Sequence, residues 1–348
     1  MTATAASVRI KPRIQLSQAL ERVFGGLLLA ILGIWVIANV AKDPTLFFQN
    51  VLTGLNNGAM YALIALGYTL VYGIIELINF AHGDLFMLGT ILTAKIMVGT
   101  LGLQTPGLSA YLGLAMTMVI VMIFCATINV SAEFFAYRRL RNAPKLAPLI
   151  TAVGLSFIFQ NFGQLWNGSG QKQWDTVFSQ AGFNIGGVQV QYKFIVVVVI
   201  TAVLLAALTG IVQLTSAGKA MRAVAQDQDG ARLMGINVNR TISFTFALGG
   251  LMAGAAAALY METNGTTRYD AGFQLGLIAF TAAVLGGIGN LLGAVVGALL
   301  IGLIQALNDG GSYSPGQAWS QTVVFSILIL VMVFKPEGLL GRRTTEKV

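Results

Sequence analysis

A polytopic bundle of transmembrane α-helices is the fold this sequence predicts, on three observations. Hydrophobic residues make up 56% of the 348 and charged residues only 10%, against about 25% charged in a soluble domain. The apolar residues come in continuous runs of roughly 18–25, the length that carries a helix through a ~30 Å hydrocarbon core. Sixteen of the 21 Lys and Arg fall in four short stretches that border those runs. A globule of this length cannot be solvated by so few charges, and a disordered chain would be poor in large apolar residues.

The runs that meet or approach a membrane crossing are 23–41, 57–75, 83–100, 110–135, 146–166, 193–214, 241–261, 271–286, 290–308 and 320–335. They are continuously apolar, which makes them helices; barrel strands would alternate over about ten residues. The first run follows a basic arm in the manner of a signal peptide. It is too long for that, and no small-residue cleavage site precedes Lys42, so it reads as an uncleaved span.

The basic clusters are Arg9, Lys11, Arg13 and Arg22; Arg138, Arg139, Arg141 and Lys145; Lys219, Arg222, Arg232 and Arg240; and Lys335, Arg342, Arg343 and Lys347. The positive-inside rule places all four in the cytoplasm. Four crossings return the chain inside at Arg138 and two more at Lys219, so the remainder crosses an even number of times. Segments 241–261, 271–286, 290–308 and 320–335 satisfy that as four spans, or as two with 271–308 a re-entrant hairpin. The expected fold is an all-α integral membrane protein of about 8–10 segments with discontinuous or re-entrant helices. It divides into a cytoplasmic arm (1–22), a membrane domain (23–335) with a long inner loop (215–241), and a cytoplasmic tail (336–348). The net charge of +8 reports this topology. No contiguous basic patch or aromatic platform points to nucleic acid.

Two places depart from a plain bundle. Thr45–Gly73 is too long for one straight crossing, and Asn56-Asn57-Gly58 interrupts it, so a short outer helix followed by a span from about Gly58 is expected. Gly286-Gly287-Ile288-Gly289-Asn290 divides 271–308. Interrupted helices at corresponding positions of two halves mark the substrate route in many transporters. Gly83-x5-Gly89 and Gly287-x5-Gly293 echo each other, each opening an apolar helix after an inner turn. Gly289, Gly293 and Gly297 recur every fourth residue, as do Gly250, Gly254 and Ala258. Such faces let helix backbones approach closely, within the chain or against a partner.

No catalytic or cofactor-binding set is visible. His82 is the sole histidine and Cys125 the sole cysteine, which leaves no zinc site, no Ser-His-Asp triad and no disulfide. An intramembrane aspartyl pair would need Asp270 and a second acid, but the later turn carries Asn290. Gly218-Lys219-Ala220 lacks the spacing and hydroxyl of a phosphate-binding loop, so this chain does not hydrolyse ATP. The acids Glu76, Asp84, Glu133 and Asp270 read as lying at span ends, and Lys95 can snorkel. That argues against a mid-membrane coupling-ion site, with Glu76 keeping it open.

The inner loop TSAGKAMRAVAQDQDGARLMGINVNRT (215–241) is more informative. Ser216 can cap a short helix through Gln226, and Asp229 a second that stops at Gly235. Met221 and Val224 line the first, and Leu233, Met234 and Ile236 end the second. Such apolar residues either dock into a groove of another protein or pack back on the bundle. Eight further polar residues sit within or beside apolar spans: Asn57, Tyr61, Glu76, Asn79, His82, Gln160, Asn161 and Asn290. In lipid each either lines a route or makes an interhelical hydrogen bond.

GLNNGAMYALIALGYTLVYGIIELINFAHGDLFMLG (54–89) resembles the hallmark stretch of the permease subunits of bacterial branched-chain amino acid ABC importers. APLITAVGLSFIFQN (147–161), GKAMRAVAQDQDGARLMGINVNRTISFTFALGGLMAGAAAALY (218–260), AVLGGIGNLLGAVVGALLIGLI (283–304) and KPEGLLG (335–341) are similar to later signatures of that family, in the same order. Of the two permeases such systems use, the chain looks more like the LivH-type subunit. Trp166–Gln191 and Asn308–Trp319, on the outer face by topology, carry no family motif.

The resemblance implies a subunit of the bacterial inner membrane with both termini cytoplasmic, working by alternating access. Its partners would be a second homologous permease, two ATPase subunits and a periplasmic binding protein, with no cofactor on this chain. It implies that Gly218, Met221, Arg222, Val224, Asp227, Asp229, Leu233, Met234 and Gly235 belong to the coupling loop gripped by the ATPases. Asn79 and His82, inside the hallmark stretch, become the better route residues. Branched-chain amino acids, other neutral amino acids and urea remain open as cargo, and a self-sufficient carrier or channel is the reading from another class.

Overall fold

The computed structural model describes residues 33–76, 79–101, 108–141, 143–144, 146–174, 176, 181–335 and 337–341. The expected arm, most of the 23–41 span and most of the tail lie outside these residues. Among the described residues, seven helices are long and apolar enough to cross a membrane. They are α2 (Pro44–Ile75), α4 (Leu108–Phe135), α5 (Leu146–Asn167), α6 (Tyr192–Leu214), α9 (Val238–Asn264), α11 (Leu291–Gly310) and α12 (Ser320–Phe334), which reaches that length with the 3-10 turn Gln317–Trp319 before it. Shorter apolar helices are α1 (Gly33–Lys42), α3 (Ala81–Ala94) and α10 (Ala271–Gly286). A π-helical turn, Lys95–Thr100, extends α3. Two short helices, α7 (Ser216–Gln226) and α8 (Gln228–Leu233), form the inner loop.

The expected break in α2 is absent. The helix runs unbroken for 32 residues, started by Pro44 in its first turn and by Asp43, whose carboxylate accepts the Leu46 N–H at 2.9 Å. At 1.5 Å per residue it is ~48 Å long, so it extends beyond the hydrocarbon core. Gly54 and Gly58 serve approach instead of interruption. A Cβ on either would stand 2.7 Å from Leu303 Cα or 2.8 Å from Leu299 Cα, and one on Gly302 would meet Gly58 Cα at 2.5 Å. These glycines seat α2 directly on the backbone of α11. Gly250 and Gly254 do the same for α9 on α4, where a Cβ would lie 2.6 Å from Ala126 Cα or Met122 Cα. That small-residue face therefore packs within the chain.

The seam of 271–308 is a helical hairpin turned by Gly287 and Gly289, both with positive φ (105° and 91°). Gly293 and Gly297 press on the end of α10, where a Cβ would meet Gly286 O at 2.4 Å and Ala282 O at 2.1 Å. Gly289 is not part of that contact; its backbone makes the turn. Asn290 caps α11, its Oδ1 accepting the Gly293 N–H at 3.1 Å. The tail closes the corner: the Leu339 and Leu340 N–H groups donate to Leu285 and Gly286 carbonyls at 2.8 and 3.0 Å. The Asn290 amide donates to Leu340 O at 2.8 Å. Because α11 runs against α2 along its length while α10 has only 16 residues, the pair is one full span and one shortened span.

On the opposite side, β1 (Lys172–Gln173) pairs with β4 (Thr266–Thr267), and β2 (Gly182–Ile185) with β3 (Val188–Gln191), both antiparallel. Gln49 of α2 ties this hairpin down through two hydrogen bonds to Gln189, at 3.2 and 3.1 Å.

Candidate functional site

Depth in the membrane follows from helix rise. Gly67 and Tyr68 of α2 lie seven to eight residues from its inner end, ~12 Å along the axis. They touch His82: a Cβ on Gly67 would overlap the imidazole, and the Tyr68 and His82 rings are 4.9 Å apart. Ser156 is ten residues into α5, ~15 Å from its inner end, and its hydroxyl donates to the Asp84 carboxylate. Cys125, ten residues from the inner end of α4, faces Leu85 O at 3.7 Å. Three independent helices thus place the start of α3 near the middle of a ~30 Å core.

Gly83 and Asp84 lie in the first turn of α3, at a helix end as expected; what differs is the height of that end, which helix rise sets well above the inner ends of α2, α4 and α5. Helix α3 is discontinuous with α2 and begins at mid-depth. So does α10: a Cβ on Gly272 would meet Gly83 O at 2.4 Å, and one on Gly276 would meet Gly83 Cα at 2.8 Å. The glycines at positions 83, 272 and 276 are what bring the two helix starts together. Neither start has a side-chain cap.

Beside these starts, one face of α5 and the residues that open α3 and α10 border an open-sided cavity of about 370 Å³ lined by Phe80, Val153, Ser156, Phe157, Gln160, Asp270, Phe273 and Gln274, with Phe157 and Phe273 exposed. Asp84 lies behind its polar wall, fully buried, accepting from Ser156 Oγ and from Gln160 Nε2 at 3.2 Å. Asp270 is paired with Arg268, whose Nη2 donates at 2.6 Å.

Of the eight polar residues picked from sequence, Gln160 alone lines this cavity. His82 is buried against Gly67 and Tyr68 of α2, with neither ring nitrogen hydrogen-bonded. Asn79 is buried at the inner side, accepting the Tyr137 hydroxyl at 2.8 Å. Tyr61 donates to Gln305 at 2.9 Å across the α2–α11 contact. Asn57 is partly buried on α2, and Glu76 is exposed at the left-handed C-cap of that helix, φ 53°. Asn161 faces outward and bonds its own helix at Phe157 O, 2.7 Å. Asn290 caps α11, as described. Asp84, Ser156, Asp270 and Gln274 were not on that list. Ser156 and Gln160 are four residues apart, so one helix face carries both, and that spacing was the available signal.

The inner end forms a second region. Thr215, not Ser216, caps α7, accepting the Gly218 N–H at 3.1 Å; Asp227, not Asp229, caps α8, accepting the Asp229 N–H at 3.0 Å. Asp229 instead pairs with Arg232 at 3.0 Å. Met221 and Val224 turn back into the bundle core, 2% and 1% exposed, so the first helix packs on its own chain. Gly218 lies against the Val212 carbonyl, where no Cβ fits, and Arg222 donates to that same carbonyl. The second helix is different: Leu233 and Met234 are 89% and 83% exposed just before the Gly235 turn (φ 83°). Beside it, Ser216, Ala220, Ile236, Arg240 and Phe244 edge an inner groove of about 440 Å³.

The inner end of α4 is fastened to α9. Glu133, fully buried, accepts from Arg138 at 2.8 Å, from Arg141 and from Ser243 at 2.7 Å, while Arg141 also donates to Asn239 at 2.6 Å.

Seven helices able to cross a membrane among the described residues, with short helices on the inner side, define a polytopic all-α membrane protein. The family model for the branched-chain amino acid transport system permease component matches residues 50–332, and the chain belongs to that family. The high-affinity branched-chain amino acid transport system permease protein BraD of Pseudomonas aeruginosa is 39% identical over 310 residues, covering 87% of this chain and 98% of its own. LivH of Escherichia coli K12 and LivH of Salmonella typhimurium, named as permeases of the same kind of system, are each 37% identical over 311 residues with the same coverage.

Proposed function

We infer that this chain is a permease subunit of an ATP-binding-cassette importer of branched-chain amino acids in the bacterial inner membrane. It is not an enzyme; ATP is hydrolysed by separate subunits, and no cofactor is needed on this chain. One observation supports the docking side of this reading above the others. Helix α7 is anchored by Met221 and Val224, so α8 presents Leu233 and Met234 from a fixed base. Large exposed apolar side chains next to a groove are the anchors of helix-in-groove contacts.

In this reading two ATPase subunits grip α7 and α8 on this chain and on a second, homologous permease. The two strand pairs and the Asn308–Trp319 segment face a periplasmic binding protein. Both termini lie in the cytoplasm in this reading, which the Arg and Lys clusters support. ATP-driven movement of α8 reaches the membrane helices through the buried face of α7, and alternating access needs no covalent chemistry.

The test uses the full set of subunits in proteoliposomes. The complete importer is expected to accumulate leucine, isoleucine or valine only with ATP, and this chain alone to move none. Uptake by this chain without ATPase subunits would overturn the reading in favour of a self-sufficient carrier. Leu233→Asp is expected to abolish co-purification of the ATPases while leaving the chain folded; unchanged co-purification would remove α8 from the docking site.

A further inference from the structure

We propose that the mid-depth cavity between α3, α5 and α10 is the site that holds the transported α-amino acid on its way through the membrane. The proposal rests on the permease reading and adds the place and the manner of recognition. The chemistry of the cavity is two-sided. Phe80, Val153, Phe157 and Phe273 supply an apolar wall, and Ser156, Gln160, Gln274 and Asp270 a polar one. An amino acid with an aliphatic side chain has one end of each kind. About 370 Å³ is within the usual range of small-molecule sites, ~300–1,000 Å³.

The polar wall is built to accept hydrogen bonds. Ser156 Oγ and Gln160 Nε2 both donate to Asp84, and Gln160 Nε2 also donates to Ser156 Oγ at 3.3 Å, which leaves one serine lone pair and the glutamine carbonyl for the cavity. An α-ammonium needs such acceptors. Asp84 adds a second reason: it is fully buried at mid-depth, and no ion pair to it exists among the described residues. A carboxylate there is costly without a counter-charge, and a bound ammonium supplies one across the Ser156–Gln160 layer. Asp270 stands on the same wall.

The substrate carboxylate has its own partners. Helices α3 and α10 both begin here without side-chain caps; the His82, Ala271 and Phe273 N–H groups are already taken by the Asn79, Arg268 and Asp270 carbonyls, and what the two starts offer an anion is the positive ends of their dipoles. Half-helix starts at mid-membrane serve substrate carboxylates in this way in other transporters. The three glycines at the α3–α10 contact hold those starts in place.

Val153 is exposed on the cavity edge, 39% accessible, so enlarging it leaves the bundle intact. The experiment compares wild type, Val153→Trp and Gln160→Leu in the complete importer, reading ATPase co-purification together with initial uptake of leucine and of valine. Val153→Trp is expected to keep assembly and lower leucine uptake at least tenfold, with valine, one methylene smaller, reduced several-fold less. Gln160→Leu is expected to lower both about tenfold. Wild-type uptake of both amino acids by both variants, as when a lipid acyl chain fills the cavity, would overturn the proposal. So would an equal loss of leucine and valine in Val153→Trp. A wild-type importer that moves neither amino acid would overturn the permease reading as well, and that result is seen before any variant is made.

Discussion

Helices α2 and α12 are both apolar enough to span a membrane, yet 83% of the core window of α2 is buried inside the chain and only 11% of that of α12. The difference lies in side-chain size. Helix α2 places Gly54, Gly58 and Gly67 against neighbours at distances no Cβ could occupy, and α12 presents Ile329, Leu330, Met332, Val333 and Phe334 outward. In water, burial follows hydrophobicity. In lipid the tails are as apolar as leucine, so large residues gain nothing by turning inward, and the helices that pack are those whose backbones can touch.

That contrast can be broken most severely at its tightest contact. Gly302→Leu drives a side chain into the Gly58 backbone, and overpacking of this kind costs ~1–3 kcal/mol or more. It is expected to lower the thermal unfolding midpoint in detergent sharply and to empty the membrane of folded protein. A smaller loss is expected from Glu133→Gln, which removes the partner of Arg138 and Arg141 where α4 meets α9. The arginines are partly solvated, so ~2 kcal/mol is expected, between an exposed and a fully buried pair. Replacing Thr215 with Ala removes the α7 cap and is expected to cost ~1 kcal/mol, read as faster hydrogen exchange confined to α7. At the other end of the comparison, Gly210→Val on α6 meets nothing within 4 Å, and its stability is expected to stay within ~0.5 kcal/mol of wild type, read as a nearly unchanged midpoint. A large loss there would show that α6 is a packed helix and would dissolve the contrast.

The spans were legible because a run of apolar residues long enough to cross lipid has few alternatives; the expected 271–286 coincides with α10. The continuity of α2 was not. Asn56-Asn57-Gly58 carries the letters of a helix break, and the same glycine is required where a second backbone comes within contact distance. Only α11, about 240 residues later in the chain, decides between the two. The caps at Thr215 and Asp227 were each missed in favour of a neighbouring residue of the same capping type, because several Ser, Thr and Asp compete in that loop. Gln160 was found as a polar residue in an apolar run. Asp84 and Asp270 stand at run ends in the sequence, and their mid-depth position depends on α3 and α10 starting inside the membrane, which no local pattern records. Met221 and Val224 were legible as an apolar face of α7, but whether that face met the chain's own core or another protein was left to the tertiary structure.

The tail bonds to the α10–α11 corner set an order of events during synthesis. Carbonyls of Leu285 and Gly286 receive their partners from Leu339 and Leu340, which leave the ribosome after α11 and α12 have been made. Until then the corner beneath the paired glycines is unfinished, and a ribosome stalled within α12 would release a chain whose last hairpin is still open. Leu339 and Leu340 are in this sense a lock on a hairpin made about fifty residues earlier.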